Sequence, residues 1–161
     1  MQLVSVAAIA ENRVIGADGD VPWAPIPEDI EQYRDRVADA PVILGRRTFD
    51  AMRGDLPGAR RIVLSRSVDS VPDPTAVVVA DVQSALTEAR RLAPDGPVYV
   101  LGGGAIYDLF QPHLDRMVLS HVHGSYRGDT RYPAFDDAEW EVVSETGYDR
   151  FTLREWARTD R

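Results

Sequence analysis

Residues 3–9, Leu-Val-Ser-Val-Ala-Ala-Ile, form an almost wholly apolar run, and shorter runs of the same kind recur at residues 41–45 and 98–101. Such runs are too short for a core helix and lack polar alternation, so they read as strands buried on both faces, as in parallel sheets. Further strands are expected at residues 61–65, 76–79 and 116–122. Helices are expected at 27–38, 47–52, 82–92 and 105–110. Strands and helices that alternate through short connections predict an α/β fold, with a mostly parallel central sheet flanked by helices. The last third changes character: residues 140–144 and 151–157 flank Gly147-Tyr-Asp and read as an antiparallel C-terminal hairpin. No linker interrupts the pattern, so residues 1–161 are expected to fold as one domain, long enough for a full core.

Composition removes several classes of function. With 44% hydrophobic residues the chain is expected to be globular. No apolar run reaches membrane-spanning length and the N-terminus lacks a basic region, so a cytoplasmic protein with no membrane partner is expected. The absence of cysteine excludes disulfides, thiol nucleophiles and cysteine-ligated metals. A net charge of −8 argues against nucleic acid, whose phosphates repel an acidic surface. All 18 basic residues are arginine. A salt-rich cytoplasm and an arginine codon bias both account for that.

The segment Val21-Pro-Trp-Ala-Pro-Ile-Pro-Glu-Asp-Ile-Glu-Gln-Tyr33 is the most informative about function. Pro27 suits the first position of a helix, where its fixed φ fits and its missing N–H is not needed. An apolar stripe then runs Ile26, Ile30, Tyr33, Val37. Asp29 borders that stripe and leans toward the interior. A carboxylate facing an apolar cleft is costly unless paired, and such groups are often ligand contacts. The alternative is that Asp29 only complements the positive end of the helix dipole.

Residues 46–66 hold six arginines (Arg46, Arg47, Arg53, Arg60, Arg61 and Arg66) against Asp50 and Asp55. A local positive region on an acidic chain suggests an anionic small ligand, with arginine suited to bidentate contacts. Val98-Tyr-Val-Leu-Gly102-Gly103-Gly104-Ala105-Ile106-Tyr107 reads as a strand, three glycines and a helix start. Glycines there let a ligand approach the backbone, and the helix start offers free N–H groups to an anion. Gly45-Arg46-Arg47-Thr48 repeats the design, and Leu64-Ser65-Arg66 ends another strand in a hydroxyl and an arginine. A nucleotide with an extra 2′-phosphate, NADPH, would need two such separated anion sites. His121 and His123 share a strand face without an evident third ligand, so no metal site is expected.

Taken in order, the chain resembles the dihydrofolate reductase family over nearly its whole length. The matching motifs are Val6-Ala7-Ala8, Asn12-Arg-Val-Ile15-Gly16, Pro22-Trp23, Pro27-Glu-Asp29, Val42-Ile-Leu-Gly45-Arg46-Arg47-Thr48, Leu56-Pro-Gly58, Leu64-Ser65-Arg66, Leu101 to Tyr107, and Gly128-Asp129-Thr130. The resemblance implies reduction of 7,8-dihydrofolate by NADPH, with hydride added at C6 and a proton at N5, by a monomer. Asp29 would orient and polarise the pterin, with Trp23 binding an ordered water beside it. Ser120 would hold Asp29 or the pterin amino group. Val6, Ala7, Ile30, Tyr33, Met52, Leu56 and Leu101 would line the substrate slot. Ala8, Ile15 and Gly16 would face the cofactor, together with Gly45, Arg46, Arg47, Thr48, Leu64, Ser65 and Arg66. The turn Gly102-Gly103-Gly104-Ala105-Ile106-Tyr107 would complete that site, and the loop of residues 11–24 would close over the nicotinamide.

Two departures stand out. Where the family usually places an arginine for the folate tail, this chain has Ala59 followed by Arg60; Arg60 or Arg34 would have to take its place. Losing such a charge-assisted contact costs about 1.5–3 kcal/mol. Ala105 follows the triple glycine where some members carry an arginine near the 2′-phosphate, leaving Arg46 and Arg66 to select NADPH. Two other readings fit parts of the chain: the reductase domain of riboflavin biosynthesis, which lacks the Pro-Trp and Pro-x-Asp arrangement, and a non-catalytic pterin- or nucleotide-binding module.

Overall fold

The computed structural model describes residues 1–159. Ten strands form: β1 (Gln2–Ala10), β2 (Val14–Gly16), β3 (Pro41–Gly45), β4 (Arg60–Leu64), β5 (Ala76–Val79), β6 (Pro97–Val100), β7 (Arg116–Val122), β8 (Thr130–Arg131), β9 (Trp140–Gly147) and β10 (Phe151–Arg158). Four helices accompany them: α1 (Pro27–Val37), α2 (Arg46–Ala51), α3 (Val82–Leu92) and α4 (Gly104–Phe110), the last running into a short 3₁₀ turn. Eight strands make one sheet in the order β5-β4-β3-β6-β1-β7-β10-β9. The first six are mutually parallel; β10 pairs antiparallel with both β7 and β9. The mostly parallel sheet with an antiparallel C-terminal pair therefore forms as expected.

The apolar runs are continuous because the sheet is covered on both sides. In β3, Val42 and Leu44 point to one core with Val4, Val6, Val37 and Phe49, whereas Ile43 points to the other with Ala85, Leu86, Val100 and Phe110. So α1 and α2 cover one face, and α3 and α4 the other. Asp81 caps α3 by accepting from the Ser84 N–H at 2.7 Å. That bond, followed by the Ser84 side chain, holds the exposed Asp81 carboxyl below its ordinary range.

Most boundaries fall within one residue of expectation, and β9 is the exception. β4 starts one residue earlier, α2 starts at Arg46, and β9 runs on to Gly147. β2 and β8 were not foreseen. They form a separate two-stranded ribbon and are too short for any periodicity to reveal them. No helix among the described residues is long and apolar enough to cross a membrane.

Candidate active site

The carboxyl ends of β3 and β6 lie side by side; β3 ends in Gly45, and β6 runs through Leu101 into Gly102. Gly45 N donates to Gly102 O at 2.8 Å and Leu101 N to Ile43 O at 2.9 Å, locking the two turns together. The three glycines of the second turn serve different needs. Gly102 has φ +100, and a Cβ there would meet the Tyr107 ring at 2.6 Å; at Gly104 a Cβ would meet Thr130 Cγ2 at 2.5 Å. Only Gly103 is free of protein crowding, its nearest neighbour being Thr48 Oγ1 at 3.6 Å. Two of the three glycines are thus required by the protein's own packing, and one leaves backbone open to a ligand.

On the α1 face a cleft of about 220 Å³ opens between α1, β1, β7 and the glycine turn. It is lined by Val6, Ala7, Ala8, Val21, Asp29, Ile30, Gln32, Tyr33, Met52, Leu101, Tyr107 and Ser120. Asp29 is the one carboxylate in this lining. The buried Ser120 hydroxyl donates to its Oδ1, and Gln32 Nε2 donates to the same oxygen at 2.9 Å. Among the described residues Oδ2 has no protein partner. Tyr107 OH, fully buried, donates to Val6 O at 2.7 Å and so fixes the end of the cleft near the glycine turn. Burial pushes the Tyr33 hydroxyl up to about 12, and among the described residues it has no hydrogen-bond partner.

Most residues expected around the substrate come together here, with exceptions. Ile30 belongs to the cleft rather than to a core stripe: it is 49% exposed, because α1 turns that side toward the opening. Trp23 is only 7% exposed and packs edge-on against Tyr126 at 5.5 Å, behind the cleft lining rather than in it. Leu56 packs against the core on the same face. Arg60 is a correction. Its neighbour Ile62 joins the α3-side core, and Arg60 lines a small cavity with Glu88, Arg91 and Leu92 of α3, on the opposite face of the sheet. Arg34 lies on α1, 3.1 Å from Asp55. Gln32 and Val21 were missed; the i+3 spacing of Gln32 to Asp29 puts the two on one side of α1, but solvated helix faces share that spacing.

A second cavity, about 400 Å³, opens at the ends of β4 and β5 and is lined by Leu64, Ser65, Arg66, Ala80, Asp81, Val82, Gln83 and Leu109. Three of these were expected at the cofactor; the α3 start and Leu109 were not. Arg46 lies half-buried beside Asp50 at 3.2 Å, Arg47 and Ala105 are exposed, and Thr48 is half-buried. Gly16 sits against Thr130, while Ile15 and Ile106 pack with the α3-side core. Asp18 N donates to Asp129 Oδ2 at 3.0 Å, and Arg150 donates to the Ala24 and Pro25 carbonyls at 2.9 Å. These bonds hold the loop of residues 11–24, which brings Val21 into the cleft lining.

One apolar, acid-bearing cleft and one arginine-bordered cavity, with the β3 and β6 turns between them, define a two-ligand α/β enzyme that takes an anionic partner. The family model described as dihydrofolate reductase matches residues 2–155. Dihydrofolate reductase 1 of Haloarcula marismortui is 40% identical over 96% of this chain and 90% of its own length. Dihydrofolate reductase HdrB of Haloferax volcanii is 33% identical over 98% of this chain and 84% of its own. A solved structure of dihydrofolate reductase from Enterococcus faecalis complexed with NADP(H) and RAB-propyl superposes with a TM-score of 0.85. It is 26% identical and covers 99% of this chain and 97% of that one. The chain belongs to the dihydrofolate reductase family and is an oxidoreductase. The halophilic source of the Haloarcula relative agrees with the salt-rich reading of the acidic, lysine-free composition.

Proposed function

We propose that this chain reduces 7,8-dihydrofolate to 5,6,7,8-tetrahydrofolate, adding hydride at C6 and a proton at N5. The observation that carries this reading is the lone cleft carboxylate of Asp29, held through Oδ1 while Oδ2 has no partner among the described residues. A carboxylate anchored in that way can accept from the amino and N–H donors of a pterin and orient the ring. The apolar lining from Val6, Ala7, Ile30, Met52 and Leu101 suits a flat aromatic ligand and lowers the local dielectric around the acid. Trp23, behind the lining, supports a water beside the ring.

The chemistry of the second cavity fits NADPH, which supplies the hydride when bound. Arg46, Arg66, Ser65 and Thr48 are the residues that would hold its phosphates, with Gly103 giving backbone access. Arg47, Leu64, Ala105 and Ile106 border that site, and Ala8, Ile15, Gly16 and Tyr107 would line its nicotinamide end. The loop of residues 11–24 excludes water from the cleft. The proposal includes a single-domain cytoplasmic monomer, which gel filtration at the mass of one chain tests.

The decisive experiment follows loss of reduced-nicotinamide absorbance with NADPH and dihydrofolate, for wild type and Asp29→Asn. Oxidation by wild type, with kcat of the variant lower by about 10²-fold or more, is expected for a group that orients substrate and tunes proton delivery. No oxidation by folded wild type, or a variant as fast as wild type, would overturn the reading.

A further inference from the structure

Asp29, Gln32 and Arg36 stand at i, i+3 and i+7 on α1, along the single helical stripe that faces β7 and β10. They are joined by contacts. Gln32 Nε2 donates to Asp29 Oδ1 at 2.9 Å, Arg36 Nε donates to Gln32 Oε1 at 3.4 Å, and Arg36 Nη1 lies 3.4 Å from Glu155 Oε1 on β10. The amide of Gln32 can sit only one way in this chain: its NH₂ must meet the carboxylate and its oxygen the guanidinium. Each link therefore fixes the next. Glu155 orients Arg36, Arg36 orients the amide, and the amide presents a donor to Asp29.

We propose that Gln32 is a positioning residue for Asp29. Anchored through Arg36 to Glu155, it shares Oδ1 with Ser120, so that the carboxylate is clamped from α1 and from β7 and Oδ2 alone is left for the substrate. The inference rests on the dihydrofolate reading for its catalytic consequence, but the clamp itself does not. A single donor from Ser120 would leave the carboxylate free to rotate about its Cβ–Cγ bond. Two donors arriving at one oxygen from different elements remove that freedom before substrate arrives, the kind of preorganisation that raises rate rather than affinity. The charged and titratable groups around the clamp are Arg36 on α1, Glu155 on β10, Tyr99 on β6 (beside Arg36 and Glu155), and the Tyr33 and Tyr107 hydroxyls at the cleft.

The test uses Gln32→Met, which keeps the volume and removes the donor, and Arg36→Met, which cuts the far end of the relay. Glu31→Gln, on the exposed side of the same helix, is the control. The first readout needs no turnover. In 13C spectra of the ligand-free protein at neutral pH, the Asp29 carboxyl signal of Gln32→Met is expected to be displaced from its wild-type position, because one of the two donors to Oδ1 is gone. Arg36→Met displaces it by less, and the control does not move it. The second readout is steady-state kinetics: kcat for dihydrofolate reduction falls roughly three- to tenfold in Gln32→Met, while KM for NADPH stays put. Superimposable Asp29 carboxyl signals for wild type and Gln32→Met, with both proteins folded, overturn the clamp. A displaced signal without wild-type turnover upholds the clamp and sinks the dihydrofolate reading instead.

Discussion

Trp156 donates its indole N–H to Nε2 of His121 at 3.3 Å, which places the proton of the neutral imidazole on Nδ1. Burial, and then the Arg154 charge, hold His121 down to about 4, with Glu145 acting in the opposite sense. Its folded value lies below the ordinary histidine value, so the folded state binds fewer protons than the unfolded chain between about pH 6.5 and 4. The stabilisation is therefore complete above about pH 6.5 and is lost as pH falls toward 4. Allowing for the partial exposure of His121, on the order of 1–2 kcal/mol is at stake. Urea unfolding at pH 7 and pH 4.5 should show a larger loss for wild type than for His121→Gln, which keeps an acceptor for Trp156. Equal losses would remove His121 from the account.

The glycine turn makes a second prediction. Gly102→Ala forces a positive φ on alanine and drives its Cβ into the Tyr107 ring, so it should lower stability by about 1–3 kcal/mol and also weaken NADPH binding. Gly103→Ala meets no comparable obstacle within the protein. It should leave Tm close to wild type and raise the NADPH Kd, separating the packing glycine from the ligand-facing one in a single pair of variants.

Arginine offers a third. Arg60→Ala should leave KM for dihydrofolate unchanged, because its side chain lies on the α3 side of the sheet. Arg34→Ala should raise that KM severalfold if the acidic tail of dihydrofolate reaches the α1 face, at little cost in kcat. A raised KM in Arg60→Ala would contradict the placement given by β4.

Arg61 has a structural role, and its loss should be felt in stability. It is 8% exposed and donates to the Pro57 and Gly58 carbonyls and to the Thr75 hydroxyl, with Asp73 at 3.9 Å. Arg61→Met would leave two carbonyls and a carboxylate without their cation. A loss of about 2–4 kcal/mol in chemical unfolding, with KM and kcat near wild type, is expected.

Salt should raise stability. Going from about 0.1 to 1 M KCl shortens the screening length from about 10 to about 3 Å and relieves self-repulsion in a chain of net charge −8. Tm is expected to climb by several degrees in KCl; a flat or falling Tm would favour codon bias as the source of the lysine-free composition.

What the sequence disclosed depended on how far each residue's role is local. The strands under both helical layers were legible because burial on two faces leaves no polar alternation in Val42-Ile43-Leu44 or Val98-Tyr-Val100. Asp29 was legible because its place on α1 follows from Pro27 and the helical period. Arg60 was misplaced because a one-residue step along a strand moves a side chain to the other face, and Ala59 lies where the offset could not be judged. Gln32 was overlooked for a different reason. Nothing within α1 distinguishes it from a solvated glutamine until β10 brings Glu155 to Arg36.

β1 occupies the middle of the sheet, with Leu3 in register with Val98 on one side and Ala7 with Leu119 on the other. β1 is thus synthesised well ahead of both its neighbours, β6 and β7. Until residues near Val100 have emerged, β1 has two open edges, and until residues near Val122 have emerged it still has one, an arrangement that recruits foreign strands. Closure over such separations makes folding slow and places it after synthesis. A chain cut short ahead of β7 is accordingly headed for aggregation rather than for a smaller folded reductase.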